Sequence, residues 1–397
     1  MLTSVLLGAL ILQGQTATPV QKPGQTPPPA QTQLSKEEIQ HQKDLENDIA
    51  VGKKACVEIE KVEKLSDNKE YQDRVSRIGQ QLAAIARTTP VEVYWGDKRL
   101  NKFDYTFKVL KGDDVNAFTL PGGFVYVYEG LIKYVQSDDE LAAVLAHEIC
   151  HAEQRHYAQL VKEQSKITAP GLIAILAAIA SRNPELIGTA VYATQLTAQS
   201  FVSSWDVRAE QSADHGGFQY LVHSKYNPTA MLTFMERLAM DENTGAQGAV
   251  DWGIYRDHPP SAARAESILK DMKAYGIPVQ RSAVTTRFRA EVKPGLDGGV
   301  DIWFNRHKLF TFGGTDALKR ADDAAAKLNK FFDREPNLFD VKLDGDQVVG
   351  RREPLFEVLP EDALVEKTTT DKAGASAIAA IKSSLYDYGF SIWQARG

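Results

Sequence analysis

Residues 144–159, VLAHEICHAEQRHYAQ, put two histidines and a glutamate into what reads as a core-facing helix. Leu141, Val144 and Leu145 recur at helical spacing and mark an inward stripe. Continued by three and four residues, that stripe lands on Glu148, His151 and Ala152. Ser137, followed three residues later by Glu140, is a capping-box pattern that starts the helix. Titratable groups at core-facing positions are costly to bury unless something binds them. A spot where local sequence rules fail usually marks function.

His147 and His151 lie one turn apart and about 40° apart around a helix axis. Imidazoles so placed can reach one ion at about 2.0–2.1 Å, the usual zinc–nitrogen distance. Glu148 is offset by about 100° from His147, close to such an ion but not forced to bind it, so it can hold the ion's water and take its proton. This is the H-E-x-x-H spacing of zinc peptidases. The bland alternative, a surface helix with two solvated histidines, conflicts with the inward stripe.

A third ligand is available downstream. In RAEQSADHGGFQYL (208–221), Glu210 and Asp214 stand at i and i+4, and their row continues through Gly217, Phe218 and Leu221, again a core-facing set. Glu210 is the natural third ligand of a His₂Glu site with its fourth position left for water. Asp214 can accept the other ring N–H of a ligating histidine. Gly216 and Gly217 weaken the helix but allow a neighbouring backbone to come close.

Outward from these helices, the 397-residue chain has an ordinary globular composition, with 43% hydrophobic and 25% charged residues. That length suggests two or three domains. A net charge of −6 with interspersed signs gives no nucleic-acid footprint. Two cysteines, Cys56 and Cys150, cannot build a disulfide framework. An apolar run from Val5 to Leu12 with small residues up to Ala17 reads as a secretory signal peptide over residues 1–17, although its start carries no Lys or Arg. Residues 18–34 are rich in Pro, Gln and Thr and read as an extended linker.

Two charged amphipathic helices follow, over 35–65 and 68–89. Short β-type runs come next: VEVYW (91–95), FDYTFKVL (103–110), NAFTL (116–120) and FVYVYEG (124–130). They suggest a small, mainly antiparallel sheet. The apolar run PGLIAILAAIA (170–180) is too short to span a bilayer, so a buried helix is expected, with peripheral membrane contact as the alternative. Helices are expected over about 189–222, 229–239 and 261–275. Beyond Arg281, strand-like and helix-like runs alternate and carry no assignable motif. The fold class is α+β: a mainly helical domain over 35–280 and a small α+β domain over 281–397.

HEICH, followed about 60 residues later by EQSAD, resembles the gluzincin zinc endopeptidases related to HtpX, the mitochondrial Oma enzyme and the CAAX prenyl protease. NAFTLPGGFVYVYEGLI (116–132) and DHPPSAARAESI (257–268) look like that family's N-A-F-x-x-P-G-G and H-P-x-x-x-x-R segments. The likeness covers about residues 35–279. It implies a zincin-type fold, with His147, His151 and Glu210 holding one zinc ion per chain and Glu148 as the base. It also implies that Asn116, Ala117 and Phe118 lie on a sheet edge bordering the metal, where a peptide adds as a further strand. His258 is then an oxyanion donor, a residue that visits the metal in a latent state, or a turn residue before Pro259 and Pro260. Arg264 is expected to pair with a carboxylate or position His258. The other histidines, His156 among them, are assigned surface or satisfied structural roles.

No long apolar span is present, so the chain is similar to the soluble, exported, BepA-like branch, with a bacterial cell-envelope location, periplasmic or secreted. The expected activity is hydrolysis of peptide bonds in unfolded or misassembled proteins, with polypeptide as the partner and no nucleic acid. The alternatives are a zinc-containing holdase that binds unfolded chains on the edge strand without cutting them, and a scaffold acting through its C-terminal domain.

Overall fold

Ser35 and Glu38 open the first helix with a reciprocal cap. The Ser35 hydroxyl accepts from the Glu38 N–H at 3.1 Å, and the Ser35 N–H donates to the Glu38 carboxylate at 2.7 Å. The computed structural model describes residues 34–163, 170, 171, 173, 207–243 and 262–393. The signal-peptide segment, almost all of the linker, most of the 170–180 run and His258 lie outside the described residues. The chain divides into two compact units, residues 1–43 and 44–397. Helix α1 (Lys36–Val62) begins in the first, and its portion in the second buries Val51, Ala55, Cys56 and Ile59.

Helix α2 (Lys69–Ala86) starts where the Asn68 side chain accepts from the Tyr71 N–H, and it buries the stripe Val75, Ile78, Leu82 and Ala86. Strands β1 (Thr106–Leu110), β2 (Ala117–Leu120) and β3 (Phe124–Tyr128) form a sheet in the order β1-β3-β2. β2 and β3 are an antiparallel hairpin, whereas β1 runs parallel to β3, so the sheet is mixed. The hairpin turns through Gly122 and Gly123, whose φ angles of 86° and 89° suit glycine. Period-two alternation sends Phe107, Val109, Val125 and Val127 to the core shared with α2, and Leu110, Phe118, Leu120, Tyr126 and Tyr128 to the core shared with α1.

VEVYW, expected as a strand, joins no strand among the described residues. The N–H groups of Tyr94 and Trp95 donate instead to the Ser212 hydroxyl at 3.0 and 3.2 Å, a side-chain acceptor that takes the place of a sheet partner.

Helices α3 (Glu129–Tyr134), α4 (Asp138–Glu153), α5 (His156–Glu163), α6 (Val207–Val222), α7 (Thr229–Asn243) and α8 (Ala262–Ala274) follow the sheet. α4 is buried from Glu140 through Glu153 and packs against α2, α6, α7 and β2. Ser137 caps it as expected, accepting from the Glu140 N–H at 3.2 Å, while the Glu140 carboxylate accepts from the Gln136 N–H at 2.8 Å. Arg237 of α7 also bonds Glu140.

The C-terminal part holds two three-stranded antiparallel sheets: β4 (Ala290–Pro294), β5 (Val300–Phe304) and β6 (His307–Phe312), then β7 (Val341–Asp344), β8 (Gln347–Gly350) and β9 (Glu353–Glu357). Helices α9 (Ala317–Asp333), α10 (Pro360–Val365) and α11 (Thr370–Trp393) pack with them around a separate apolar cluster that includes Phe312, Leu328 and Ile381. Arg281 ties the two cores together. It forms a two-pronged pair with Glu236 of α7 at 2.6 and 2.7 Å and reaches Glu335 at 2.5 Å. No helix among the described residues is long and apolar enough to cross a membrane.

Candidate metal centre and active site

α4 and α6 meet with almost no side-chain spacer. A Cβ on Gly217 would stand 3.0 Å from the backbone nitrogen of His147, and one on Gly216 only 2.3 Å from Cys150 Sγ. The glycine pair therefore permits the close approach expected of it. As a result Glu210, from the first turn of α6, faces both histidines of α4.

The Nε2 atoms of His147 and His151 lie 2.9 Å apart, and each is 3.4 Å from a carboxylate oxygen of Glu210. All three side chains are buried, at 7%, 0% and 2% exposure, and they form the one cluster of metal-type donors found among the described residues. Donors bound to one tetrahedral ion at about 2.0–2.1 Å are about 3.3 Å apart, so the spacing suits zinc. Arg264 pairs with the carboxylates of Asp214 and Glu210 and shares a pocket wall with Glu148.

Around the triad, the Asp214 carboxylate accepts from His147 Nδ1 at 2.9 Å, which turns the other ring nitrogen towards Glu210. Arg264 donates to both oxygens of Asp214 at 2.7 and 2.8 Å and to Glu210 at 3.0 Å. Arg264 makes the carboxylate pairing expected of it, while His258 lies outside the described residues. Burial acts against charge on His147, but bonding to Asp214 and Glu210 outweighs it and raises the pKa to about 10. Burial, then the neighbouring charge of His147, pushes His151 well below the usual range. Asp214 is held low because Arg264 overcomes the opposing effect of burial.

Glu148 is buried and lines a pocket with His147, Asp214 and Arg264. The rest of the lining is apolar: Ala143 and Val144 of α4 with Met231, Phe234, Met235 and Leu238 of α7. Ala117 and Phe118 do sit on an edge strand, since β2 pairs only with β3 among the described residues. The Phe118 side chain is committed to the core, stacking on Tyr126 at 5.2 Å, and all four residues of the strand are buried. Asn116 is buried just before the strand.

Sequence reasoning gave His156 no specific partner. Here it is fully buried with Nδ1 2.8 Å from Nδ1 of His151, and burial lowers its pKa to about 4.

Comparison with known proteins agrees with this geometry. Residues 74–272, about half of the chain, match the model of Peptidase family M48. The chain is 28% identical over 234 residues to the beta-barrel assembly-enhancing protease of Yersinia pestis, covering 58% of this chain and 44% of that protein. It is 36% identical over 164 residues to the protein of the same name from Escherichia coli K12, covering 40% and 31%. To the metalloprotease LoiP of E. coli K12 it is 30% identical over 226 residues, covering 56% and 79%. The chain thus spans less than half the length of the two assembly-enhancing proteases.

Proposed function

The chain belongs to peptidase family M48, and on that premise we propose that it is a zinc metalloendopeptidase acting on polypeptide chains. The observation that carries the reading is the buried convergence of His147, His151 and Glu210, with Glu148 beside them at the wall of a pocket. When bound, zinc supplies Lewis acidity to the scissile carbonyl and to the attacking water. Glu148 takes the proton of that water and returns it to the leaving amine. Asp214 orients the His147 ring, and Arg264 holds Asp214 and Glu210 in place while partly offsetting their charge.

The backbone of Ala117 and Phe118 in β2, with Asn116 just before it, offers a sheet edge to an extended substrate. The pocket between α4 and α7 suits an apolar side chain next to the scissile bond. His258 supplies an oxyanion donor or a latency contact. Residues 35–280 form the peptidase domain and 281–397 an accessory domain. The N-terminal apolar run directs the chain into the cell envelope, where unfolded or misassembled proteins are the substrates.

Glu148→Gln tests the mechanism. Cleavage of an unfolded protein should fall by about 10²–10⁴-fold, while one zinc per chain is retained. Full activity in the zinc-loaded variant would remove Glu148 from the reaction. A zinc-loaded wild type that suppresses aggregation but cuts nothing would favour the holdase reading.

A further inference from the structure

His156 is tied into a chain of hydrogen bonds whose direction is set at its far end. The Ser212 hydroxyl accepts from the N–H groups of Tyr94 and Trp95, so its own proton goes to Gln154 Oε1, 2.6 Å away. The Cys150 thiol donates to the Ser212 carbonyl oxygen at 3.8 Å, so its sulfur accepts from Gln154 Nε2 at 2.9 Å, in keeping with Oε1 as the acceptor for Ser212. His156 Nε2 lies 3.0 Å from that Oε1 and 3.0 Å from the carbonyl oxygen of Trp95. Both neighbours only accept, so Nε2 carries the proton. In the neutral ring, Nδ1 of His156 is then a bare acceptor. The group 2.8 Å away, Nδ1 of His151, must donate to it. That leaves Nε2 of His151 unprotonated, facing His147 and Glu210.

We propose that His156 is a positioning residue: by accepting the Nδ1 proton of His151, it locks that ring in the tautomer whose Nε2 lone pair points into the metal site. The inference rests on the reading of His151 as a metal ligand. Asp214 does the corresponding job for His147 with a carboxylate. The two ligands are therefore oriented by different chemistry, one by a charged acceptor and the other by a neutral imidazole backed by Trp95, Gln154 and Ser212. All members of that relay are buried. Partners of this kind are typically worth 10–100-fold in metal affinity, roughly.

The test uses the full chain. In wild type loaded with zinc and labelled with ¹⁵N-histidine, the His151 ring should show a protonated Nδ1 and a zinc-bound Nε2. Zinc affinity, measured by competition with a chromophoric chelator, should fall roughly 10–100-fold in His156→Leu. His156→Gln keeps a carbonyl acceptor and should recover most of the loss. Equal zinc affinity in folded His156→Leu, or an unprotonated Nδ1 on His151 in the wild type, would overturn the proposal. If His156→Leu does not fold, the wild-type spectrum still decides. Failure of the wild type to bind zinc at all would instead strike the metallopeptidase reading.

Discussion

Two buried clusters of charge in this chain are built differently. At the junction of the two cores, Arg281 and Glu236 face each other as a two-pronged pair, with half-exposed Glu335 adding a third member. Between α4 and α6, Arg264 meets both Asp214 and Glu210 while Glu148 lies beside them, and two ring nitrogens face each other across 2.9 Å. The first cluster holds its own counter-charge and reads as structure. The second brings ring nitrogens of His147 and His151 and the Glu210 carboxylate to one point, a donor set of the kind that holds a metal ion. Burial of charge does not by itself distinguish a site from a brace; convergence of donor atoms does.

The sharpest way to break this comparison is to remove a donor. His147→Ala should lower zinc from one per chain towards zero by metal analysis. A chelator should lower the Tm of the wild type but leave that of the variant unchanged, since only a ligand bound to the native state stabilises it. The brace should respond in the opposite sense. Arg281→Met leaves Glu236 buried without its pair and should cost about 3–5 kcal/mol in denaturant unfolding, with zinc stoichiometry of the folded fraction unchanged.

A smaller effect is expected at the apolar wall. Met235→Ala should reduce kcat/KM roughly tenfold for peptides with a large apolar residue at the scissile bond, relative to peptides with alanine there. A uniform loss across both peptide sets would show that the wall supports the fold and does not select substrate.

The smallest effect belongs to a more open cluster, where Asp97 bonds Arg99 at 2.5 and 2.8 Å and Arg155 at 3.1 Å. Burial opposes charge on Asp97, but these guanidinium bonds bring its pKa down to about 2 from an ordinary 3.8. Because the native value is the lower one, its contribution is present above about pH 4 and is lost as pH falls towards 2. Asp97→Asn should flatten that part of a Tm-against-pH curve while lowering its plateau slightly.

The facing of His147 and His151 along one helix, and of Glu210 and Asp214 along another, was legible because helical spacing converts directly into position. Residues four apart share a face, and an apolar stripe tells which way that face points. The start of α4 at Ser137 was readable for the same local reason. His156 was not. Extending the α4 wheel five residues past His151 puts it about 140° away, on the wrong side. The helix in fact ends at Glu153, Arg155 takes a left-handed φ of 53°, and α5 begins at His156, which swings the ring back onto His151. A left-handed arginine leaves no sequence signal of the kind glycine does. The same holds for VEVYW, whose β-type residues read as a strand until the Ser212 hydroxyl, more than a hundred positions away, takes its N–H groups.

What the chain determined alone was therefore everything carried by short-range periodicity: two imidazoles and a glutamate on one helix, two carboxylates on another, and the edges of most helices and strands. What only the tertiary structure decided was which atoms face one another once α4 and α6 meet at Gly216 and Gly217. That contact brings Glu210 and Asp214, with Arg264 bound to them, against the two rings, and packing likewise decides that β3 lies between β1 and β2. The reason is geometric. Helix and strand repeats propagate over a few residues, whereas the direction of a hydrogen bond depends on the partner that packing brings to it.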